Sequence, residues 1–135
     1  MVETRADPKI AQIVKRHQRI ERTAALVYRH LAKRSRDPVS RDILLLLSSQ
    51  ETEHAEIWRY YCDRKLGPYL LRYWFLILLG YLLGRRRLIA LMVRDEAVTS
   101  AEYKLLSTDF PELEGVYQQE ENHERELRLM LDSNR

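Results

Sequence analysis

Four stretches of this chain space their apolar residues three, four and seven apart, and each carries a glutamate in the middle of its apolar row. Residues at those intervals share one face of an α-helix. The first row is Ile10, Val14, His17, Glu21, Ala24, Tyr28 and Leu31. The second is Leu44, Leu47, Glu51, His54, Trp58 and Tyr61. The third is Leu88, Met92, Glu96, Thr99, Tyr103 and Leu106, and the fourth is Leu113, Val116, Glu120, His123, Leu127 and Met130. No segment alternates apolar and polar residues long enough to suggest a β-strand. The expected fold class is all-α, built from amphipathic helices that face a common core.

Prolines and glycines divide these rows. Asp7-Pro8 suits a helix start, with Pro at the first helical position. The first helix is expected to reach about Arg36, where Asp37-Pro38 ends it and Ser40 opens the second. Gly67-Pro68 stops the second near Lys65. Residues 69–84 form a separate apolar segment, read as helical and bounded by Gly84. A third amphipathic helix covers about 85–107, and a fourth about 111–132 after the break at Ser107 to Pro111. The chain reads as one domain, 1–135, containing two copies of a helix pair. In each copy a Glu-x6-Tyr helix (Glu21 and Tyr28, then Glu96 and Tyr103) precedes a Glu-x-x-His helix (Glu51 and His54, then Glu120 and His123).

Composition narrows the partners. Charged residues make up 32% of the chain and net charge is only +3, which gives no basic footprint of the kind that nucleic-acid binding requires. Basic residues are mixed with acids except at Arg85-Arg86-Arg87. The single Cys62 excludes an internal disulfide framework and suits a reducing, cytoplasmic setting. The N-terminal stretch is too charged for a signal peptide. The most apolar run, Tyr69 to Leu83, is 15 residues long and contains Arg72, short of the roughly 20 apolar residues that a spanning helix needs.

The glutamates on the apolar rows carry the chemistry. An ionised carboxylate among apolar neighbours is costly unless it is paired or binds a metal. Four of them meeting in one core would raise one another's pKa. Two divalent cations cancel four carboxylates, and two neutral imidazoles complete a mixed oxygen and nitrogen ligand set suited to Fe, Mn or Zn. Glu21, Glu51, His54, Glu96, Glu120 and His123 are therefore the candidate metal ligands. A lone Glu-x-x-His is ordinarily a solvated pair; two copies, both on apolar rows, favour a site. His17, one turn before Glu21, is either a support for that site or a core histidine. Tyr28 and Tyr103 either hydrogen-bond ligand carboxylates or simply pack. Glu53, Glu56, Glu102, Glu121 and Glu124 fall off the rows and read as solvated charges, and Cys62 as a packing residue.

With Glu21-x6-Tyr28, Glu51-x-x-His54, Glu96-x6-Tyr103 and Glu120-x-x-His123 in this order, the chain resembles the ferritin-like superfamily and its rubrerythrin-like branch. The stretches ETEHAEIW, RYWFLILLGYLLGRRRLIALMVRDEAVTSAEY and EENHERELRLMLD resemble the domain that precedes the membrane part of some vacuolar iron transporter family proteins, including membrane-bound ferritins. The resemblance covers residues 9 to 132. It implies a ferritin-like four-helix bundle with a long apolar helical crossover between its second and third helices. It also implies a site holding two iron ions through the six candidate ligands, and a function in iron storage, detoxification or delivery to a fused transport domain. Two departures count against peroxide-reductase chemistry. Thr99 stands where rubrerythrins carry a further glutamate, and no Cys-x-x-Cys pair is present for a rubredoxin-type domain. A ferroxidase or peroxidase remains the alternative. The family would continue beyond Asp132 to Arg135 into a membrane helix.

The segment 69–84 holds too many apolar residues for one helix face. It is read as a buried crossover, as a homodimer or higher homo-oligomer interface, or as a membrane contact beside Arg85 to Arg87. A metal-free interaction module built on this segment is the remaining functional alternative.

Overall fold

Each of the first two helices starts on an Asp-Pro pair. In the computed structural model, which describes residues 7–62 and 64–133, the carboxylate of Asp7 accepts a hydrogen bond from the Lys9 amide, 2.9 Å, and α1 follows as Pro8–Arg34. Asp37 does the same for α2, Pro38–Tyr60, accepting from both the amide and the hydroxyl of Ser40. Proline is favoured at this position because it lacks only an amide that the helix would leave unused. Residues 1–6, which begin the charged N-terminal stretch, and Asn134 and Arg135 at the other end lie outside the described residues.

Three further helices follow: α3, Leu70–Leu83; α4, Arg85–Leu106; and α5, Leu113–Asp132. The described residues contain no β-strand, so the all-α expectation holds. Two boundaries differ from the sequence reading. The Asp37-Pro38 pair opens α2 directly instead of only ending α1, because the Asp37 side chain is its cap. And α2 stops at Tyr60, not near Lys65, because the following chain is drawn onto α1.

Three side chains of α1 hold that link. Gln18 donates to the carbonyl of Arg64 and accepts from the amide of Leu66, 2.7 Å. Arg19 donates to the carbonyls of Gly67 and Pro68 and lies over the ring of Tyr69, 4.3 Å from its centroid. The Thr23 hydroxyl accepts from the Tyr69 amide, 2.9 Å. A helix continued to Lys65 could not present these backbone groups to α1.

The chain divides into two compact units, Met1–Leu76 and Ile77–Arg135, with the division inside α3. In the first, α1 and α2 pack antiparallel. His17 faces Trp58, Glu21 faces His54, and Ser48 donates to the carbonyl of Ala25, 2.8 Å. In the second, α4 and α5 form a hairpin through residues 107–112, where the amide of Phe110 bonds the Leu106 carbonyl and its ring is buried. Gly84 joins α3 to α4 at φ +97°, a left-handed value that side chains rarely adopt. Four residues earlier, a Cβ on Gly80 would stand only 3.0 Å from Leu88 Cδ2. The apolar rows point inward as their spacing requires: Val14, Tyr28, Leu31, Leu44, Leu47 and Trp58 are buried in the first unit, and Leu88, Met92, Tyr103, Val116, Leu127 and Met130 in the second.

Candidate metal centre

In the first unit α1 supplies Glu21, and α2 supplies Glu51 and His54 from one face, three residues apart. All three side chains are buried, none more than 2% exposed. His54 Nδ1 lies 3.7 Å from Glu21 Oε2 and 3.8 Å from Glu51 Oε1. In the second unit α4 supplies Glu96, and α5 supplies Glu120 and His123, all buried again. His123 Nδ1 lies 3.7 Å from Glu96 Oε2 and 3.9 Å from Glu120 Oε1. The two triads repeat one another to within 0.1 Å in these contacts, although 30 residues separate the glutamates of the first and 24 those of the second.

The separations are chemically informative. At 3.7–3.9 Å the histidine–glutamate contacts are too long to be hydrogen bonds. Two ligand atoms each about 2.1 Å from a shared first-row cation can stand up to roughly 4.2 Å apart. Within each triad, one donor atom per residue lies within 4.8 Å of the other two. The histidine–glutamate contacts lie inside that span, and a contraction of the triad brings all three donors onto one ion. Charge gives the same count: two carboxylates and one neutral imidazole carry two negative charges, which one divalent cation cancels. All six residues singled out in the sequence fall into these two clusters, three to each unit.

The positions around the triads differ in kind. His17, one turn before Glu21, stacks on Trp58, one turn after His54, with ring centroids 5.1 Å apart and planes at 19°. Burial, reinforced by the neighbouring charge of Arg16 and opposed by Glu21, lowers the His17 pKa from 6.5 to about 4. At neutral pH it is an uncharged ring in an aromatic stack. The matching positions of the second unit, one turn before Glu96 and one after His123, are Met92 and Leu127, both buried. Tyr28 and Tyr103, seven residues after the lone glutamates, are both fully buried.

Outside the triads the carboxylates behave as the rows suggest. Glu53, Glu56 and Glu121 are exposed, and Glu102 and Glu124 partly so. A hydrogen bond from Arg22 holds the Glu56 carboxyl below its usual range, helped by the charges of Arg22 and Arg59. Sequence reasoning missed Gln18, Arg19 and Thr23, which lie off the apolar row of α1 and fix the link after α2. Gln18 and Thr23 are nonetheless buried. The only hint was polar residues beside a row whose hairpin partner ends in Gly67-Pro68.

Compared with protein-family models, with curated proteins and with solved structures, the chain finds no match in any of the three.

Proposed function

We propose that the chain is a metal-binding protein whose two Glu-Glu-His triads each take one divalent cation, iron being the ion that its ferritin-like pattern implies. Glu21, Glu51 and His54 hold one ion, and Glu96, Glu120 and His123 the other. The observation that carries this reading is the repetition: the same three residue types, buried, at the same separations, twice in one chain. A single buried Glu-His contact is an ordinary core feature. Two matched sets of buried carboxylates have a common explanation in the charge that a cation supplies.

In this reading the chain is a ferritin-like bundle, and α3 is its apolar crossover. Bound iron supplies redox chemistry with O₂ or peroxide; the chain's own residues bind it, fix its ligand geometry and exclude water. The task is capture of Fe(II) for storage, detoxification or delivery to a transport domain, on the cytoplasmic side. Thr99 in place of a further carboxylate supports binding over peroxide reduction, within the rubrerythrin-like resemblance.

Elemental analysis of protein purified without added metal tests the identity of the ion. Iron near two per chain supports the proposal, and stoichiometric zinc that Fe(II) cannot displace would overturn the iron assignment. Stopped-flow mixing of the Fe(II)-loaded protein with O₂ or H₂O₂ separates the tasks. A single round of oxidation fits a binding domain, and rapid repeated turnover fits a ferroxidase or peroxidase.

A further inference from the structure

Helix α3 keeps most of its apolar surface in solvent. Leu71, Trp74, Phe75, Leu78 and Leu82 are all more than half exposed, Leu71 at 90%. They lie three, four, seven and eleven residues from Leu71, so they form one stripe along the helix. Only Leu76 and Ile77 of this helix are buried. A contiguous apolar stripe of this length on a protein surface marks a partner.

Charge indicates which partner. Between Asp63 and Asp95 the chain has no acidic residue, but it has seven basic ones: Arg64, Lys65, Arg72, Arg85, Arg86, Arg87 and Arg94. The rest of the chain holds the remaining 16 basic residues against all 20 acids. The basic region is thus wider than the Arg85 to Arg87 run, and it flanks the apolar stripe on both sides. Arg64, Lys65, Arg72, Arg86, Arg87 and Arg94 are all exposed.

A second copy of the chain is a poor match for this surface. Paired antiparallel, two α3 helices would set Arg72 of one towards Arg85 to Arg87 of the other. Paired parallel, they would set each arginine beside its twin. No acid within the segment answers either arrangement. An anionic bilayer answers both features at once. Lipid headgroups neutralise the flanking arginines, and the boundary of the acyl chains takes up the leucines and Phe75. Trp74 and Tyr81 are of the type that settles at that boundary. No helix among the described residues is long and apolar enough to cross a membrane, and α3, at 14 residues, would lie in the surface plane.

We propose that α3 docks this chain onto anionic lipid bilayers, with Leu71, Trp74, Phe75, Leu78 and Leu82 in the outer acyl region and the flanking basic residues on the headgroups. The proposal is independent of metal binding.

Vesicle binding by the full chain tests it, using large unilamellar vesicles of phosphatidylcholine with or without one quarter phosphatidylglycerol. Trp58 is fully buried and Trp74 exposed, so a change in tryptophan emission reports α3. Expected are co-sedimentation with the anionic vesicles and a blue shift of emission, both weakened about tenfold or more by omitting phosphatidylglycerol or by Arg86→Gln with Arg87→Gln. Leu71→Ser with Phe75→Ser, both exposed and therefore compatible with folding, should remove the shift. Three results would each overturn the proposal. One is no partitioning at millimolar lipid. Another is equal binding to neutral and anionic vesicles. The third is a solution dimer that Leu71→Ser with Phe75→Ser dissolves, which would assign the stripe to a second copy.

Discussion

The two units hold the same triad in differently reinforced hairpins. In the first, both helices open on Asp-Pro caps, the link after α2 is tied to α1 by Gln18, Arg19 and Thr23, and an aromatic stack of His17 on Trp58 sits one turn from the triad. In the second, α4 is capped by Gly84 and α5 by Glu112, neither with a side-chain cap bond, and Met92 and Leu127 take the places of the stacked rings. The histidine-to-carboxylate distances are nonetheless the same. What the two units share is therefore narrow: one glutamate on one helix, a Glu-x-x-His face on the next, and a hairpin between them. Beyond that the hairpins differ, and the first carries the additional caps and clamps. Amide exchange should accordingly be slower in α1 and α2 than in α4 and α5. Equal protection of the two hairpins would show that the caps and clamps add nothing.

Substitutions at the matched positions sharpen the contrast. The largest effect is expected at Trp58, which is fully buried and stacked. Trp58→Ala should cost about 3–5 kcal/mol in urea unfolding of the metal-free protein, and Leu127→Ala at the equivalent place about 2–4 kcal/mol.

Next comes acid sensitivity. His17 is neutral in the folded state down to about pH 4, whereas in the unfolded chain it takes a proton near pH 6.5. Its contribution is complete above pH 6.5 and is lost as the pH falls towards 4, since only the unfolded state gains the proton over that window. The whole loss is roughly 3 kcal/mol. His17→Met, which installs the residue of the second unit, should flatten stability between pH 6.5 and 4. An unchanged pH profile would place the acid sensitivity elsewhere.

Smaller effects follow at the links. Arg19→Ala removes two bonds to carbonyls and the contact with Tyr69. It should cost about 1–2 kcal/mol and speed amide exchange at Leu66 and Tyr69 without altering metal affinity. Gly84→Ala, at φ +97°, should cost about 1 kcal/mol through strain alone, as the added methyl meets no neighbouring atom.

Much of this was legible in the sequence because candidate ligands and core share one periodicity. Glu21, Glu51, His54, Glu96, Glu120 and His123 were found by the rows that place Val14, Leu47 or Leu127 inside, and all six are buried. Helix starts were legible where a cap is local, as at Asp7-Pro8. The end of α2 was not, since it depends on Gln18 and Arg19 reaching residues 46 to 49 positions away. The stacking of His17 on Trp58 was hidden for the same reason. Each ring lies on its own row, and only the register of α1 against α2 brings them together. The mixed character of 69–84 was visible as an excess of apolar residues, but which of them face solvent depends on what Leu76 and Ile77 pack against.

Two matched triads should bind two ions. Anaerobic titration of the metal-free chain with Fe(II) tests it most directly. Saturation is expected near two ions per chain, with loss of binding in the Glu51→Ala, Glu120→Ala double variant while its helical content stays intact. A wild-type chain that takes up no Fe(II), or a double variant that still binds two ions, would contradict it.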